Sequence, residues 1–222
     1  MTRKAIDWPY PWLELDLDVP ALGMLREAEA LNSAFVAHRS SSGRGWKSLC
    51  VHGLGATKTQ DATRYGFASE SEADHDWTEI AGLCPITVSF LKQLPAEQFY
   101  RVRYMLLEPG GYILPHRDTD RAGLEPINVA LSQPQGCLFR FEEAGVVPFE
   151  PGKAIMLDVS QRHAVFNTSG RSRYHMIIHG SFRLSNPDWQ SLINRSCMKS
   201  AVHNERHQPS GNAQRHADVV SL

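Results

Sequence analysis

Cysteine is scarce in this chain of 222 residues, and its four copies, Cys50, Cys84, Cys137 and Cys197, form no CxxC pair. The short ligand spacings of a cysteine-based zinc site are missing. A disulfide framework is not expected in a chain this long without a secretory signal, so the four read as free thiols in a reducing cytoplasm. No window approaches the 18 consecutive apolar residues of a membrane span. The first residues, MTRKAIDWPYPWLELDLD, carry no apolar h-region and turn acidic early, so no signal peptide is expected. An excess of either charge is also absent: 23 Lys and Arg stand against 24 Asp and Glu, a formal net charge of -1. A nucleic-acid partner would need a local basic patch, and none is expected. What is present is ordinary for a soluble globular protein, with 42% hydrophobic and 21% charged residues.

The elements follow from periodicity. Trp8, Pro9, Pro11, Trp12 and Pro20 suggest an extended arm that packs its aromatics on the body. Residues 21–38 read as a helix, with Leu22, Leu25, Ala28, Leu31 and Phe35 recurring every three or four positions. Residues 39–45 form a loop, Trp46, Leu49 and Val51 mark a short strand, and 55–75 read as an irregular surface loop. Residues 77–94 read as a helix interrupted by Pro85, with Leu83, Ile86, Phe90 and Leu94 facing the core. From residue 99 the pattern changes. Strand-like runs recur at 99–107, 112–114, 127–131, 137–142, 154–158, 163–166 and 173–179, with Glu108–Gly111 as a turn and Gly, Pro, Asn and Ser clusters between the runs. The expected fold is mainly β, a sandwich or barrel with flanking helices outside. One domain is expected over residues 1–190, with helices and loops in 1–98 and the β core in 99–184. Residues 191–222, rich in Ser, Asn, Gln and His, read as a disordered tail whose His203, His207 and His216 are solvated.

The most informative stretch for chemistry is Pro115-His116-Arg117-Asp118, at the end of a short strand. Side chains alternate along a strand, so His116 and Asp118 share one face. An imidazole and a carboxylate suit ferrous iron, and one distant histidine would complete a 2-His-1-carboxylate triad with open positions. His163, His175 and His179 are the candidates. Arg173 lies ten residues after His163, on a strand where Arg173, His175, Ile177 and His179 share a face. A buried arginine facing a metal site needs an anion, and the distal carboxylate of a dicarboxylic cosubstrate would supply one.

Four pieces, LLEPGGYILPHRD (106–118), QGCLFRF (135–141), PGKAIMLDVSQRHAVFN (151–167) and RYHMIIHG (173–180), extend this reading. Together, and with Gly45–Leu49 upstream, they resemble the aspartyl/asparaginyl β-hydroxylase-like family of 2-oxoglutarate oxygenases, which includes bacterial free-proline hydroxylases. The resemblance covers about 80 residues, with the pieces in the family's order. It implies a double-stranded β-helix, or jelly roll. It implies His116, Asp118 and His163 as ligands of iron(II), and Arg173 as the partner of the C5 carboxylate of 2-oxoglutarate. It leaves His175 and His179 as non-ligands. Relatives often carry Arg-x-His on the strand after the His-x-Asp loop to hold the C1 carboxylate, where this chain has Pro126-Ile127-Asn128. Asn128 keeps a hydrogen-bond donor without the charge, and Arg103 or Arg140 would compensate.

The reaction implied is hydroxylation of an amino-acid side chain, free or within a peptide or protein. It consumes dioxygen and decarboxylates 2-oxoglutarate to succinate. No nucleic acid or membrane partner is expected. Two other classes share the scaffold: a cupin-type metal enzyme and a non-catalytic binding module. Arg173 at its spacing from His163 favours the oxygenase. Tyr104, Trp46 and His52 read as core or rim, and the loops 53–76 and 119–126 flank the inferred pocket.

Overall fold

The computed structural model describes residue 6, residues 8–38 and residues 42–207. Eleven strands and three helices are among them: β1 (Trp12–Leu15), α1 (Ala21–Ala30), β2 (Val36–Ala37), β3 (Gly43–Gly53), β4 (Asp76–Trp77), α2 (Pro85–Gln93), β5 (Gln98–His116), β6 (Ile127–Ala130), β7 (Cys137–Phe141), β8 (Gly145–Val146), β9 (Ala154–Leu157), β10 (His163–Asn167), β11 (Arg173–Ser181) and α3 (Pro187–His207). The strands pair in the order β1-β9-β6-β11-β5-β10-β7-β8, with β3 also on β5. Every strand pairing is antiparallel. The sheet curls on itself into a jelly roll, a double-stranded β-helix. Trp12 of β1 stacks on Phe141 of β7 with ring centroids 6.0 Å apart, although the two strands lie far apart in the pairing order.

Alternation along β5 and β11 creates two cores. Val102, Tyr104 and Leu106 of β5, with Tyr174, Met176 and Ile178 of β11, join the cluster that contains Met24, Ala28, Phe90, Leu91, Trp189 and Leu192 of the helices. The opposite faces look into the roll. There Leu107, Ile113, Phe139, Phe141, Phe149, Ile155 and Val165 form a second apolar cluster. On this inner face lie buried polar residues, among them Arg101, Arg103, Arg173 and His175. Burying that much guanidinium and imidazole is unfavourable unless partners are provided, which marks the inner face as the site.

Several elements differ from the sequence expectation for identifiable reasons. The first helix ends at Ala30, and Val36–Ala37 is already a strand. It buries Ala21, Met24 and Ala28, whereas Leu22 is 63% exposed. The spacing counted from Leu22 ran on through Phe35 after the chain had left the helix. Pro85 does not interrupt a helix but opens α2, where its missing N–H is harmless. Leu83 and Ile86, expected in the core, are exposed, while Phe90 and Leu94 are buried. The Glu27 carboxylate of α1 accepts from the N–H groups of Ile86 (2.7 Å) and Thr87 (3.0 Å), satisfying donors that open the helix.

The expected turn at Glu108–Gly111 is a bulge inside one long strand. Trp46 pairs with Leu107 and Arg44 with Tyr112, so two steps on β3 match five on β5. Gly110 has φ +68°, and a Cβ on Gly111 would come within 2.9 Å of the carbonyl oxygens of Glu108 and Arg44. Before the bulge β5 pairs with β11, and after it with β10. The N-terminal arm is a strand over Trp12–Leu15, paired with β9. The tail expected from residue 191 is replaced by α3 as far as His207. Trp189, Leu192, Ile193 and Ser196 are buried, a helical stripe hidden in a polar composition. Residues 1–5, 7, 39–41 and 208–222 of the expected arm, loop and tail lie outside the described residues. Among the described residues no helix is long and apolar enough to cross a membrane.

Candidate metal centre

The centre forms where β5 ends and β10 begins. His163 is the direct cross-strand partner of His116, and their rings lie 4.4 Å apart. Asp118 follows two residues after β5, held by its N–H on the Val159 carbonyl at 3.0 Å. Offering one ligand atom each, His116, Asp118 and His163 come within 4.8 Å of one another. His116 Nε2 lies 3.4 Å and His163 Nε2 3.8 Å from the two Asp118 carboxylate oxygens.

Backbone carbonyls set the tautomers. His116 Nδ1 lies 2.7 Å from the Leu114 oxygen, and His163 Nδ1 lies 2.9 Å from the Gln161 oxygen. A carbonyl only accepts, so each Nδ1 carries its proton and each Nε2 presents a lone pair toward Asp118. His163 is buried, stacked on Phe139 at 5.0 Å. Burial and the neighbouring His116 lower its pKa, against the opposing pull of the Gln161 carbonyl and Asp118. The turn before it is braced by Asp158, whose carboxylate accepts from the Ser160 hydroxyl (2.6 Å) and Gln161 Nε2 (3.2 Å). Trp46 flanks the other side, 6.5 Å from the His116 ring.

Arg173 opens β11 on the inner face, 6% exposed. Its Nε donates to Gln133 Oε1 (3.0 Å), an Nη donates to His175 Nδ1 (3.0 Å), and the guanidinium lies over the Phe149 ring at 5.6 Å. His175 Nδ1 is therefore an acceptor, and Nε2 donates to the same Gln133 oxygen at 3.1 Å. Burial, reinforced by Arg173, drives the His175 pKa well below its usual value and keeps the ring neutral. Burial also lowers the Arg173 pKa to about 10. Among the described residues no carboxylate pairs with Arg173.

Asn128 faces the interior, 5% exposed, with one long contact at 3.5 Å to the Pro126 carbonyl. Arg103 is also interior. It donates to the Thr59 carbonyl (2.8 Å) and to His179 Nε2 (3.0 Å). Arg140 is on the exposed face of β7 and takes no part. Tyr104 points to the helices, where its hydroxyl meets Thr87. His52 packs between Trp77 and Phe99. Sequence reasoning missed Gln133, His38 and Thr59. Their roles depend on contacts 21 to 65 residues away, and no local pattern marks them.

A family model described as aspartyl/asparaginyl β-hydroxylase matches residues 18–181. Among solved structures, the chain is similar to a Pseudomonas putida prolyl-4-hydroxylase at 17% identity, covering 78% of this chain and 94% of that one, with a TM-score of 0.46. It is similar to a 2OG-Fe(II) oxygenase family oxidoreductase from Burkholderia pseudomallei at 13% identity, covering 71% and 79%, with a TM-score of 0.42. A Trichoplax adhaerens prolyl hydroxylase, in complex with a hypoxia inducible factor peptide fragment, is 13% identical over 78% and 80%, with a TM-score of 0.43. No functionally curated protein matches the chain.

Proposed function

Because the chain belongs to the aspartyl/asparaginyl β-hydroxylase family, we propose that it hydroxylates an amino-acid side chain, free or within a peptide, and couples this to decarboxylation of 2-oxoglutarate. Its cofactors are iron(II) and 2-oxoglutarate. The observation that carries the reading is the convergence of His116, Asp118 and His163, with both Nε2 lone pairs turned inward. Two imidazoles and one carboxylate are a donor set that suits non-haem iron(II) and leaves coordination positions open. When bound, iron(II) with 2-oxoglutarate supplies the dioxygen activation that C–H hydroxylation requires.

The protein's own residues supply position and environment. His116, Asp118 and His163 hold the metal. Arg173 receives the C5 carboxylate, and Gln133 with His175 fixes its planar fork for two parallel hydrogen bonds. Asn128 offers its amide to the C1 end. Phe139, Phe141 and Phe149 line the inner face and exclude water from around the imidazoles.

The test is an anaerobic titration of the protein with iron(II) and then 2-oxoglutarate, read by visible absorbance. A weak band that appears only with both establishes chelation of the keto acid. Absence of the band, with Asp118→Ala behaving as wild type, sinks the oxygenase reading.

A further inference from the structure

Strand pairing fixes two of the three converging groups, since His116 and His163 are direct partners on β5 and β10. Asp118 has no such support. It lies two residues past the end of β5, in the connection 117–126 that leads to β6. That connection is seated on the turn 158–161, which follows β9 and leads to His163. The Asp118 N–H donates to the Val159 carbonyl (3.0 Å), and the Glu125 N–H to the Leu157 carbonyl (2.9 Å). The Arg117 guanidinium donates to the Ser160 carbonyl at 2.6 Å. The next carbonyl of the turn, that of Gln161, orients the His163 ring. Consecutive peptide groups of one short turn therefore hold the segment of the carboxylate donor and an imidazole donor.

One side chain sets the shape of that turn. Asp158 Oδ1 accepts from the Ser160 N–H (3.2 Å) and the Ser160 hydroxyl (2.6 Å), and Oδ2 accepts from Gln161 Nε2 (3.2 Å). A carboxylate that accepts from the N–H two residues on closes an Asx turn, which fixes the direction of the carbonyls that follow it. These are the Val159 and Ser160 carbonyls on which Asp118 and Arg117 rest. Asp158 Oδ1 also reaches across to the connection itself, accepting from the Gly123 N–H at 3.3 Å. Gly123 has φ +149°, a conformation that glycine tolerates and a side chain disfavours. The Asp158 backbone is anchored in turn, its N–H donating to the Pro11 carbonyl at 2.8 Å. Among the described residues, the Ser160 and Gln161 side chains bond only to Asp158, so no other side chain of the turn spans both segments.

We propose that Asp158 is a positioning residue of the metal centre, setting Asp118 against His163 by tying the connection 117–126 to the turn 158–161; this rests on the reading of His116, Asp118 and His163 as metal ligands. Asp158 touches neither the metal nor the substrate. It acts through hydrogen bonds that a neutral acceptor of the same shape also makes, and it acts mainly on Asp118, the one donor outside the strand pairing.

The probe is cobalt(II), added to the full chain and read by its visible absorption, which reports coordination number and geometry. Asp158→Ala should weaken cobalt(II) binding by about tenfold or more, the cost of losing a group that orients metal ligands. Its spectrum should move toward that of Asp118→Ala. Asp158→Asn, which keeps an acceptor for Ser160 and Gly123 without the charge, should bind and absorb nearly as wild type. Added to Asp118→Ala, Asp158→Ala should cause little further loss, because the two act through one ligand. Circular dichroism checks that each variant is folded. If Asp158→Ala fails to fold, Asp158→Ser takes its place, with an acceptor one bond too short for Gly123 and a smaller loss in the same direction. Unchanged binding and spectrum in the alanine or serine variant overturns the proposal. So does a loss that adds in full to that of Asp118→Ala. Asp158→Asn as impaired as Asp158→Ala would assign the charge in place of the hydrogen bonds, and also overturns it. In each of these cases the metal centre itself stands. A wild type that binds no cobalt(II), or binding indifferent to Asp118→Ala, removes the metal-centre reading and this inference with it.

Discussion

In the proposed reaction two side chains have separable tasks, and each makes its own prediction. Asp118 offers the one carboxylate among the three converging groups, 40% exposed and without an alternative acid in the cluster. Asp118→Ala should abolish substrate hydroxylation, measured as loss of succinate release above background; turnover near wild type would remove Asp118 from the centre. In the proposed reaction Arg173 meets a different ligand, 2-oxoglutarate. Its loss removes charge-assisted hydrogen bonds worth about 1.5–3 kcal/mol. Arg173→Ala should therefore raise the 2-oxoglutarate concentration needed for half-saturation by about tenfold or more while iron(II) binding persists. Wild-type cosubstrate dependence would exclude the anchoring role. The two variants separate metal binding from cosubstrate binding because the residues share no hydrogen-bond partner.

At the scale of elements, α1 and α2 are joined by one carboxylate. Glu27 accepts from Ile86 N, Thr87 N and the Thr87 hydroxyl at the start of α2. Glu27→Ala should cost about 1–2 kcal/mol of stability, the magnitude of a lost helix cap. Urea unfolding would show a lower midpoint, with iron binding unaffected. Nothing in the periodicity of residues 77–94 pointed to this cross-helix cap, since its donor and acceptor are some 60 residues apart. The strands were more legible. Runs such as Ile127–Ala130 and Arg173–Ser181 are bounded by Gly, Pro and Asn clusters, and those boundaries hold within two residues. The continuity of β5 was not legible, because Pro109-Gly110-Gly111 carries the same composition whether the chain turns back or bulges and continues. The last helix was hidden for a different reason: its buried stripe of Trp189, Leu192, Ile193 and Ser196 is short against its polar surroundings. In the candidate site, the clustering of His116, Asp118 and His163 and the interior place of Arg173 were legible from spacing and resemblance. Gln133 was not, because it orients Arg173 from 40 residues away.

The molecule as a whole holds several histidines neutral. Burial lowers the pKa of His175, His179 and His52 below the ordinary value of 6.5, with Arg173 adding to the effect at His175, and Arg103 and Arg101 at His179. As pH falls through 6.5 the unfolded chain takes up these protons and the native fold does not, so stability must drop on the acid side. The thermal midpoint of the metal-free protein should fall between pH 7.5 and 5.5, a window above most carboxylate titrations, and the fall should shrink in His175→Asn. A flat profile would mean that these rings protonate in place. One further consequence belongs to β5, which runs unbroken through both halves of the roll and carries Arg101, Arg103 and His116. Successive side chains alternate between faces, so deleting or inserting one residue between Arg103 and Leu107 turns Arg103 and its neighbours out of the interior. Length changes are absorbed where the pairing is already irregular: at the Glu108–Gly111 bulge, whose residues have no register partner on β3, and at the shifts over residues 99–102 and 113–116. Descendants of this chain are therefore free to lengthen or shorten at those irregular points, and are held to an invariant count from Arg103 to Leu107.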